Sequence, residues 1–128
     1  MRSILIAEGD EHVARLFASV FSRTNWNVCL LDDANKAADV LRGNDPFDVI
    51  LVSYKIRGMD GVELTKLIRS LEHRRDTAVV MVTGRPAIER QALEAGADEV
   101  LTKPVDIYTL VDVVSKYVSQ ARHQDISR

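Results

Sequence analysis

The sequence predicts an α/β domain built on a doubly wound parallel sheet, and three observations support that prediction. The chain has 128 residues, the length of one ordinary domain. Short runs rich in Val, Ile and Leu alternate along it with segments of helical periodicity. These runs show little polar alternation, as is typical of parallel strands that are buried on both faces. Alternating strands and helices favour right-handed crossovers, with helices on both faces of the sheet.

The predicted strands are five apolar runs, each followed by a predicted helix. The strands are "SILIA" (residues 3–7), "NVCLL" (27–31), "FDVILVS" (47–53), "TAVVMVT" (77–83) and "EVLT" (99–102).

The predicted helices lie within residues 11–24, 34–44, 60–73, 85–98 and 106–122, where apolar side chains recur at spacings of three and four. Gly43 and Gly96 are placed to end two of these helices, and Asp106 is placed to cap the last one. We therefore expect a single domain over residues 1–121. The polar residues 122–128 are expected to form a tail or a linker stub.

The composition argues against membrane and nucleic-acid classes of protein. The chain is 46% hydrophobic and 28% charged, with a net charge of −2, which is typical of a soluble globular domain. No apolar stretch is long enough to span a membrane. The densest basic cluster, "HRR" at His73–Arg75, is interpreted as a solvated helix end rather than a phosphate-binding surface. The single cysteine, Cys29, is expected to be a buried thiol in a cytoplasmic protein.

Polar residues follow the predicted strands, where a doubly wound sheet forms its crevice. Glu8, Gly9 and Asp10 follow the first strand, and Ser53 ends the third. The fourth and fifth strands lead to a hydroxyl and an amine, at Thr83 and Lys103. Carboxylates, hydroxyls and a lysine at one sheet edge are the groups that a divalent cation and a phosphoryl group require.

Longer motifs carry a resemblance to a known family over almost the whole chain. They are "ILIAEGDE", "FDVILVSYKIRGMDGVEL", "VVMVTG" and "ALEAGADEVLTKP", followed by an amphipathic helix. With these motifs the chain resembles the receiver domains of response regulators in two-component signalling and chemotaxis. The resemblance implies a flavodoxin-like (βα)5 fold with strand order 2-1-3-4-5.

The resemblance also implies a role for each position at the strand ends. In the family an acidic pair after strand one holds Mg²⁺, and this pair falls on Glu8 and Gly9. The phosphoacceptor aspartate at the end of strand three falls on Ser53. The two phosphoryl-contacting residues match Thr83 and Lys103. By the same resemblance, the bond before Pro104 is expected to be cis.

The chain departs from this pattern at the positions that carry the chemistry. Gly9 has no side chain to bind a cation, and Ser53 is not a carboxylate. Val100 replaces the aromatic switch residue. We therefore expect weak Mg²⁺ binding or none, with Glu8 and Asp10 as weak candidate ligands. Lys103, which lacks its aspartate partner, is expected to pair with Glu8 or Asp10.

These departures predict an atypical receiver that acts as a protein-interaction domain, without aspartyl phosphorylation and without enzymatic activity. The expected partner is a histidine kinase, an output domain or another signalling protein, with neither nucleic acid nor membrane. A homodimer through helix four, strand five and helix five is a further expectation. The residues expected on that face are Arg90, Glu94, Glu99, Tyr108, Asp112 and Lys116.

Two alternatives remain open at this stage. In the first, the chain is a residual receiver that binds Mg²⁺ through Glu8 and Asp10 and is phosphorylated weakly or on Ser53. The second is a flavodoxin-like ligand binder, since the architecture is shared. It is disfavoured because no Ser, Thr and Gly run follows strand one to hold a flavin phosphate.

Overall fold

The protein folds around a five-stranded parallel sheet in the order β2-β1-β3-β4-β5, which confirms the predicted topology. The computed structural model describes residues 1–126, and within the last helix it describes side chains only as far as Val118. The strands are β1 (Arg2–Ala7), β2 (Trp26–Leu31), β3 (Val49–Ser53), β4 (Ala78–Thr83) and β5 (Glu99–Thr102).

The helices follow the strands one by one, as the sequence predicts. They are α1 (Glu11–Arg23), α2 (Ala34–Arg42), α3 (Gly61–Ser70), α4 (Glu89–Ala95) and α5 (Ile107–Ile126). Most of the predicted tail at 122–128 therefore lies within α5, and residues 127 and 128 lie outside the described residues. No helix in the described part of the chain is both long and apolar enough to cross a membrane.

Short-range signals set the ends of these helices. Asp10, Asp33 and Asp60 cap α1, α2 and α3 by accepting backbone N–H groups in the first turn. Gly96 ends α4 with a φ of 115°, a backbone conformation that favours glycine. The Lys103–Pro104 peptide bond is cis, as the resemblance implied.

The sheet separates two apolar cores, because successive side chains of a strand point to opposite faces. In β1, Leu5 and Ala7 pack on the side of α2, α3 and α4, whereas Ile4 and Ile6 pack on the side of α1 and α5. All five residues of β3 are buried. The sheet is therefore a rigid base whose carboxyl-end edge holds the loops that follow the strands.

The basic cluster His73–Arg75 matches the predicted solvated helix end only in part, because His73 and Arg75 are exposed but Arg74 is not. The side chain of Arg74 is buried, and its guanidinium donates to the carbonyl oxygens of Leu41 (3.1 Å) and Gly43 (2.9 Å) at the end of α2. It also stacks over the Phe47 ring, 5.3 Å from the centroid. The prediction was wrong for Arg74 because its guanidinium binds the terminal carbonyl groups of a helix that is distant in sequence.

Candidate functional site

The candidate site is a cleft between the loops that follow β1 and β3. These strands are neighbours at the point where the strand order reverses, which is where doubly wound sheets form ligand crevices. The cleft contains a cavity of about 520 Å³. Its lining includes four of the predicted site residues together with three residues of the β3–α3 loop: Glu8, Gly9, Asp10 and Lys103, with Lys55, Ile56 and Arg57.

Lys103 is the centre of the polar contacts in this cleft. Its Nζ donates to Glu8 Oε1 at 2.8 Å and to Ser53 Oγ at 3.2 Å. The side chain of Glu8 is 2% exposed and that of Lys103 is 27% exposed. The second oxygen of Glu8 accepts the backbone N–H of Asp10 at 3.0 Å. The predicted pairing of Lys103 is thus confirmed, with Glu8 as its partner.

Asp10, which the sequence suggested as a weak cation ligand, caps the first turn of α1. Its Oδ1 accepts the backbone N–H groups of His12 (2.9 Å) and Val13 (3.1 Å) in the first turn of α1. The hydrogen bond from Val13 lowers the pKa of the Asp10 carboxyl, and the bond from His12 adds to the effect. Asp10 therefore caps a helix, although it lines the edge of the cleft.

Two hydroxyl-bearing residues, Ser53 and Thr83, end the neighbouring strands β3 and β4. Ser53 pairs in register with Val82, the residue before Thr83. Both residues are buried, with 3% and 2% exposure. Thr83 Oγ1 accepts the backbone N–H of Arg85 at 3.0 Å, and the Thr83 carbonyl accepts the N–H of Lys103. Both hydroxyls are thus engaged within the chain.

The residues present do not form a good site for Mg²⁺. That ion prefers octahedral oxygen ligands, usually one or two carboxylates plus water and phosphate. Glu8 is engaged with Lys103, one carboxylate oxygen of Asp10 caps a helix, and Gly9 offers no side-chain ligand. Among the described residues, no group of three or more His, Cys, Asp or Glu side chains is placed to hold a metal ion.

The face formed by α4, β5 and α5 has most of its predicted charges paired within the chain. Arg90 lies 3.1 Å from Glu94 on α4, and both side chains are exposed. Lys116 lies 2.7 Å from Glu99, which also accepts the Tyr117 hydroxyl at 2.8 Å. Both hydrogen bonds lower the pKa of Glu99, and the bond from Lys116 has the larger effect.

The same face leaves an aromatic residue open to solvent. Tyr108 is 82% exposed at the start of α5, and Leu93 on α4 is 44% exposed. Asp112 is exposed one turn further along α5. Val100, at the predicted switch position, is half-buried and packs against the core on the α2–α4 side.

Comparison with protein families shows to which family a chain with this fold and cleft belongs. The family model for the response regulator receiver domain matches residues 4–115. The chain belongs to this family. Receiver domains act in two-component signalling, where they interact with histidine kinases and output domains, and they are generally signalling modules rather than enzymes.

Individual relatives differ widely in length. The chain is 29% identical to the response regulator receiver protein CpdR of Brucella abortus, covering 94% of this chain and 100% of CpdR. It is 26% identical to hybrid signal transduction histidine kinase A of Dictyostelium discoideum over 91% of this chain, but it spans only 6% of that protein. A CheY-like receiver structure from Methanospirillum hungatei superimposes with a TM-score of 0.89 at 23% identity, covering 97% of this chain and 98% of that one.

Sequence reasoning missed two features of the cleft. It did not identify Lys55 as a lining residue, and no local pattern marks a loop lysine in this way. It also left Asp10 as a weak cation ligand. The signal for its capping role was present, because an aspartate directly before a helical segment that starts with Glu11 is typical of an N-cap.

Proposed function

We propose that this receiver domain is a protein-interaction module that signals without aspartyl phosphorylation. The observation that carries the proposal is the position of the Lys103 ammonium, between Glu8 and Ser53. An internal cation satisfies the buried Glu8 carboxylate, so the cleft does not require a metal ion to balance that charge. Because the Lys103 ammonium takes the place of a metal ion beside Glu8, the cleft lacks the metal-dependent phosphorylation chemistry of the family.

The chemistry at Ser53 supports the same proposal. Aspartyl phosphorylation needs a carboxylate that is already ionised, whereas a serine hydroxyl needs a neighbouring base to become a nucleophile. The group 3.2 Å from Ser53 Oγ is the Lys103 ammonium, which donates a hydrogen bond and is paired with Glu8. An ammonium in that position cannot accept the serine proton, so Ser53 fills the phosphoacceptor position without its reactivity.

A second candidate function keeps part of the phosphorylation chemistry. Thr83 and Lys103 retain the identities that the family uses to contact a phosphoryl group, and Lys103 lies next to Ser53. In this alternative, Glu8 and Asp10 bind Mg²⁺ weakly and Ser53 is phosphorylated. It requires Lys103 to release Glu8, and it requires Asp10 to bind the cation through the oxygen that does not cap α1.

The proposed partner is a histidine kinase, an output domain or another signalling protein that binds the α4–β5–α5 face. A homodimer through this face is part of the proposal. Tyr108, which is 82% exposed at the start of α5, is the side chain best placed to make new contacts. Exposed tyrosines are well suited to interfaces, because they combine a large apolar ring with a polar hydroxyl.

The proposal is tested by incubating the protein with acetyl phosphate and Mg²⁺ and measuring its intact mass. We expect no gain of a phosphoryl group by the wild-type protein. The matched comparison is the double variant Gly9→Asp/Ser53→Asp, which restores both carboxylates and is expected to gain one phosphoryl group. A Cβ at position 9 would lie no closer than 3.6 Å to any atom outside the two adjacent residues, so the first carbon of the new side chain makes ordinary contacts.

One further variant separates the two candidate functions. A phosphoryl gain by the wild-type protein that is abolished in Ser53→Ala would contradict the proposal and establish the residual-receiver alternative. Circular dichroism of each variant confirms that any loss of signal is not caused by unfolding.

A further inference from the structure

The two edge strands of the sheet are protected to different degrees. β5, at one edge, has four residues and begins with Glu99, whose carboxylate accepts from Lys116 and Tyr117 of α5. β2, at the other edge, has six residues, "WNVCLL", without a charged residue, a proline or a glycine. Edge strands are usually short, charged or interrupted, because an open row of N–H and C=O groups pairs readily with another strand. β2 lacks the protection that β5 has.

The register with β1 shows which backbone groups of β2 are open. The carbonyl oxygen of Leu31 accepts the N–H of Glu8, so the polar backbone groups of Leu31 point toward β1. These groups alternate between the two sides of an extended strand. The N–H and C=O groups of Trp26, Val28 and Leu30 therefore point away from the sheet, and we call them the β2 edge. In the part of the chain that the structure describes, no strand pairs with this edge.

The β2 edge is complementary to a second copy of itself. In an antiparallel pair with its two-fold axis at Val28, Val28 lies opposite the same residue of the second copy, and Trp26 lies opposite Leu30. Every outward residue then exchanges N–H and C=O bonds with an outward residue, which gives about six hydrogen bonds. Leu30, which is 40% exposed, would be covered by the Trp26 end of the other strand.

The same register brings opposite charges together at both ends of the paired strands. Continuing it by two residues places Thr24 of one copy opposite Asp32 of the other, with Arg23 next to Thr24. Arg23 is exposed and has no ion pair among the described residues. Asp32 is paired with Lys36 at 3.2 Å, and both side chains are exposed. This charge complementarity favours a second copy over an unrelated strand.

The helix next to the β2 edge leaves room for a second copy. Ala14 of α1 lines a cavity together with Leu30, which places this flank of the helix toward the edge. Ala18 and Ser22 follow on the same flank at a spacing of four residues. A two-fold axis normal to the sheet puts α1 of both copies on one face, and small side chains allow two helices to approach closely.

We propose that two copies of this chain pair antiparallel through β2 and join their five-stranded sheets into one continuous sheet. This interface involves neither the cleft nor the α4–β5–α5 face, since β2 and β5 lie at opposite edges. Each copy therefore keeps that face for a signalling partner, and the dimer presents two such faces. The pairing does not depend on the state of Ser53.

The first test combines sedimentation of the full chain over a range of concentrations with amide hydrogen exchange measured by NMR. We expect a reversible monomer–dimer equilibrium. The outward amides of Val28 and Leu30 should exchange at least about tenfold more slowly in the dimer than in the dilute monomer. The control is the amide of Val100 in β5. Because the Lys103 N–H donates to Thr83 of β4, alternation points the Val100 amide away from the sheet, and its exchange should not change.

A matched pair of variants locates the interface. Leu30→Lys puts a charge on the β2 edge and should raise the dimer dissociation constant by at least about tenfold. Leu93→Lys changes a leucine of similar exposure, 44%, on α4 and should change it by less than about twofold. Asn27→Lys, at an exposed position of β2, provides a second charged variant if Leu30→Lys unfolds.

Three results would overturn the proposal. They are a monomer at every concentration, larger aggregates in place of a dimer, and equal effects of the Leu30 and Leu93 substitutions. A dimer whose Val28 and Leu30 amides exchange as fast as those of the monomer would overturn it as well.

Discussion

The ion pair in the cleft and the ion pair on α4 have the same chemistry and opposite surroundings. Lys103 and Glu8 lie 2.8 Å apart with side-chain exposures of 27% and 2%, whereas Arg90 and Glu94 lie 3.1 Å apart with exposures of 89% and 66%. Water solvates both charges of the α4 pair when it separates, but it cannot reach Glu8. Separating the buried pair therefore leaves Glu8 with neither its partner nor water, whereas separating the α4 pair does not leave a charge without solvent.

A third pair lies between these extremes. Lys116 and Glu99 are 2.7 Å apart with side-chain exposures of 48% and 27%. The Tyr117 hydroxyl donates to the same Glu99 carboxylate, and burial together with that carboxylate raises the pKa of the tyrosine. The three pairs form a graded series, in which the free energy lost on breaking a pair should follow the burial of its carboxylate.

Breaking the cleft pair should have the largest effect. Lys103→Met leaves Glu8 buried without a counter-charge, and we expect the free energy of unfolding to fall by about 2–4 kcal/mol, at the lower end for a pair whose lysine is partly exposed. Urea unfolding monitored by circular dichroism measures the change. The double variant Glu8→Gln/Lys103→Met should recover most of the loss. A loss below about 0.5 kcal/mol in the single variant would place this pair with the surface pairs.

Breaking the intermediate pair should have a smaller effect that depends on pH. The pKa of Glu99 is lower in the folded chain than its ordinary value of 4.5, mainly through the hydrogen bond from Lys116. Its contribution to stability is therefore present above about pH 4.5 and is lost as the pH falls through the folded-state pKa. The difference in unfolding free energy between Lys116→Met and the wild-type protein should be largest at neutral pH. It should shrink as the pH falls below the folded-state pKa of Glu99.

Urea unfolding across this pH range measures the trend, with Lys66→Met as the control. Lys66 is exposed on α3 and has no ion pair among the described residues. Its substitution should give a difference that does not depend on pH in this way. An equal difference for Lys116→Met at both ends of the range would refute the role assigned to this pair.

Breaking the α4 pair should have the smallest effect. Arg90→Met is expected to change the free energy of unfolding by less than about 0.5 kcal/mol, since exposed pairs at this helical spacing contribute little. Thermal and urea unfolding of the variant at low and high salt measure it. A loss of more than about 1 kcal/mol, reduced by salt, would mean that exposure does not rank these pairs.

The alternation of strands and helices was predictable from local signals, whereas the strand order and the pairing of Lys103 were implied by the family resemblance. Apolar runs that alternate with amphipathic segments specify parallel strands and helices, and strand order places Glu8 and Lys103 at one edge. The choice of Glu8 over Asp10 as partner was not made from the sequence. It depends on Asp10 capping α1, which leaves Glu8 as the buried carboxylate beside Lys103.

The structural role of Arg69 had no comparable signal in the sequence. Its guanidinium donates to the carbonyl oxygens of Gly96 (2.9 Å) and Thr77 (2.7 Å) and to Asp98 (3.0 Å). A Cβ built on Gly96 would lie 2.6 Å from Arg69 Cγ, so the glycine leaves space for this arginine. Contacts of this kind join residues that are 8 to 29 positions apart in the sequence, and the same reasoning explains why the burial of Arg74 was missed.

The most direct test of the central claim is an amide NMR titration with Mg²⁺, followed by beryllofluoride as a stand-in for an aspartyl phosphate. If Lys103 satisfies Glu8 in place of a metal ion, Glu8, Gly9, Asp10 and Ser53 should show no saturable shifts at millimolar Mg²⁺ in the wild-type protein. The Gly9→Asp/Ser53→Asp variant should show them in both steps. Saturable shifts of these wild-type amides with Mg²⁺ would contradict the account, because Glu8 would then bind a cation that the chain does not supply.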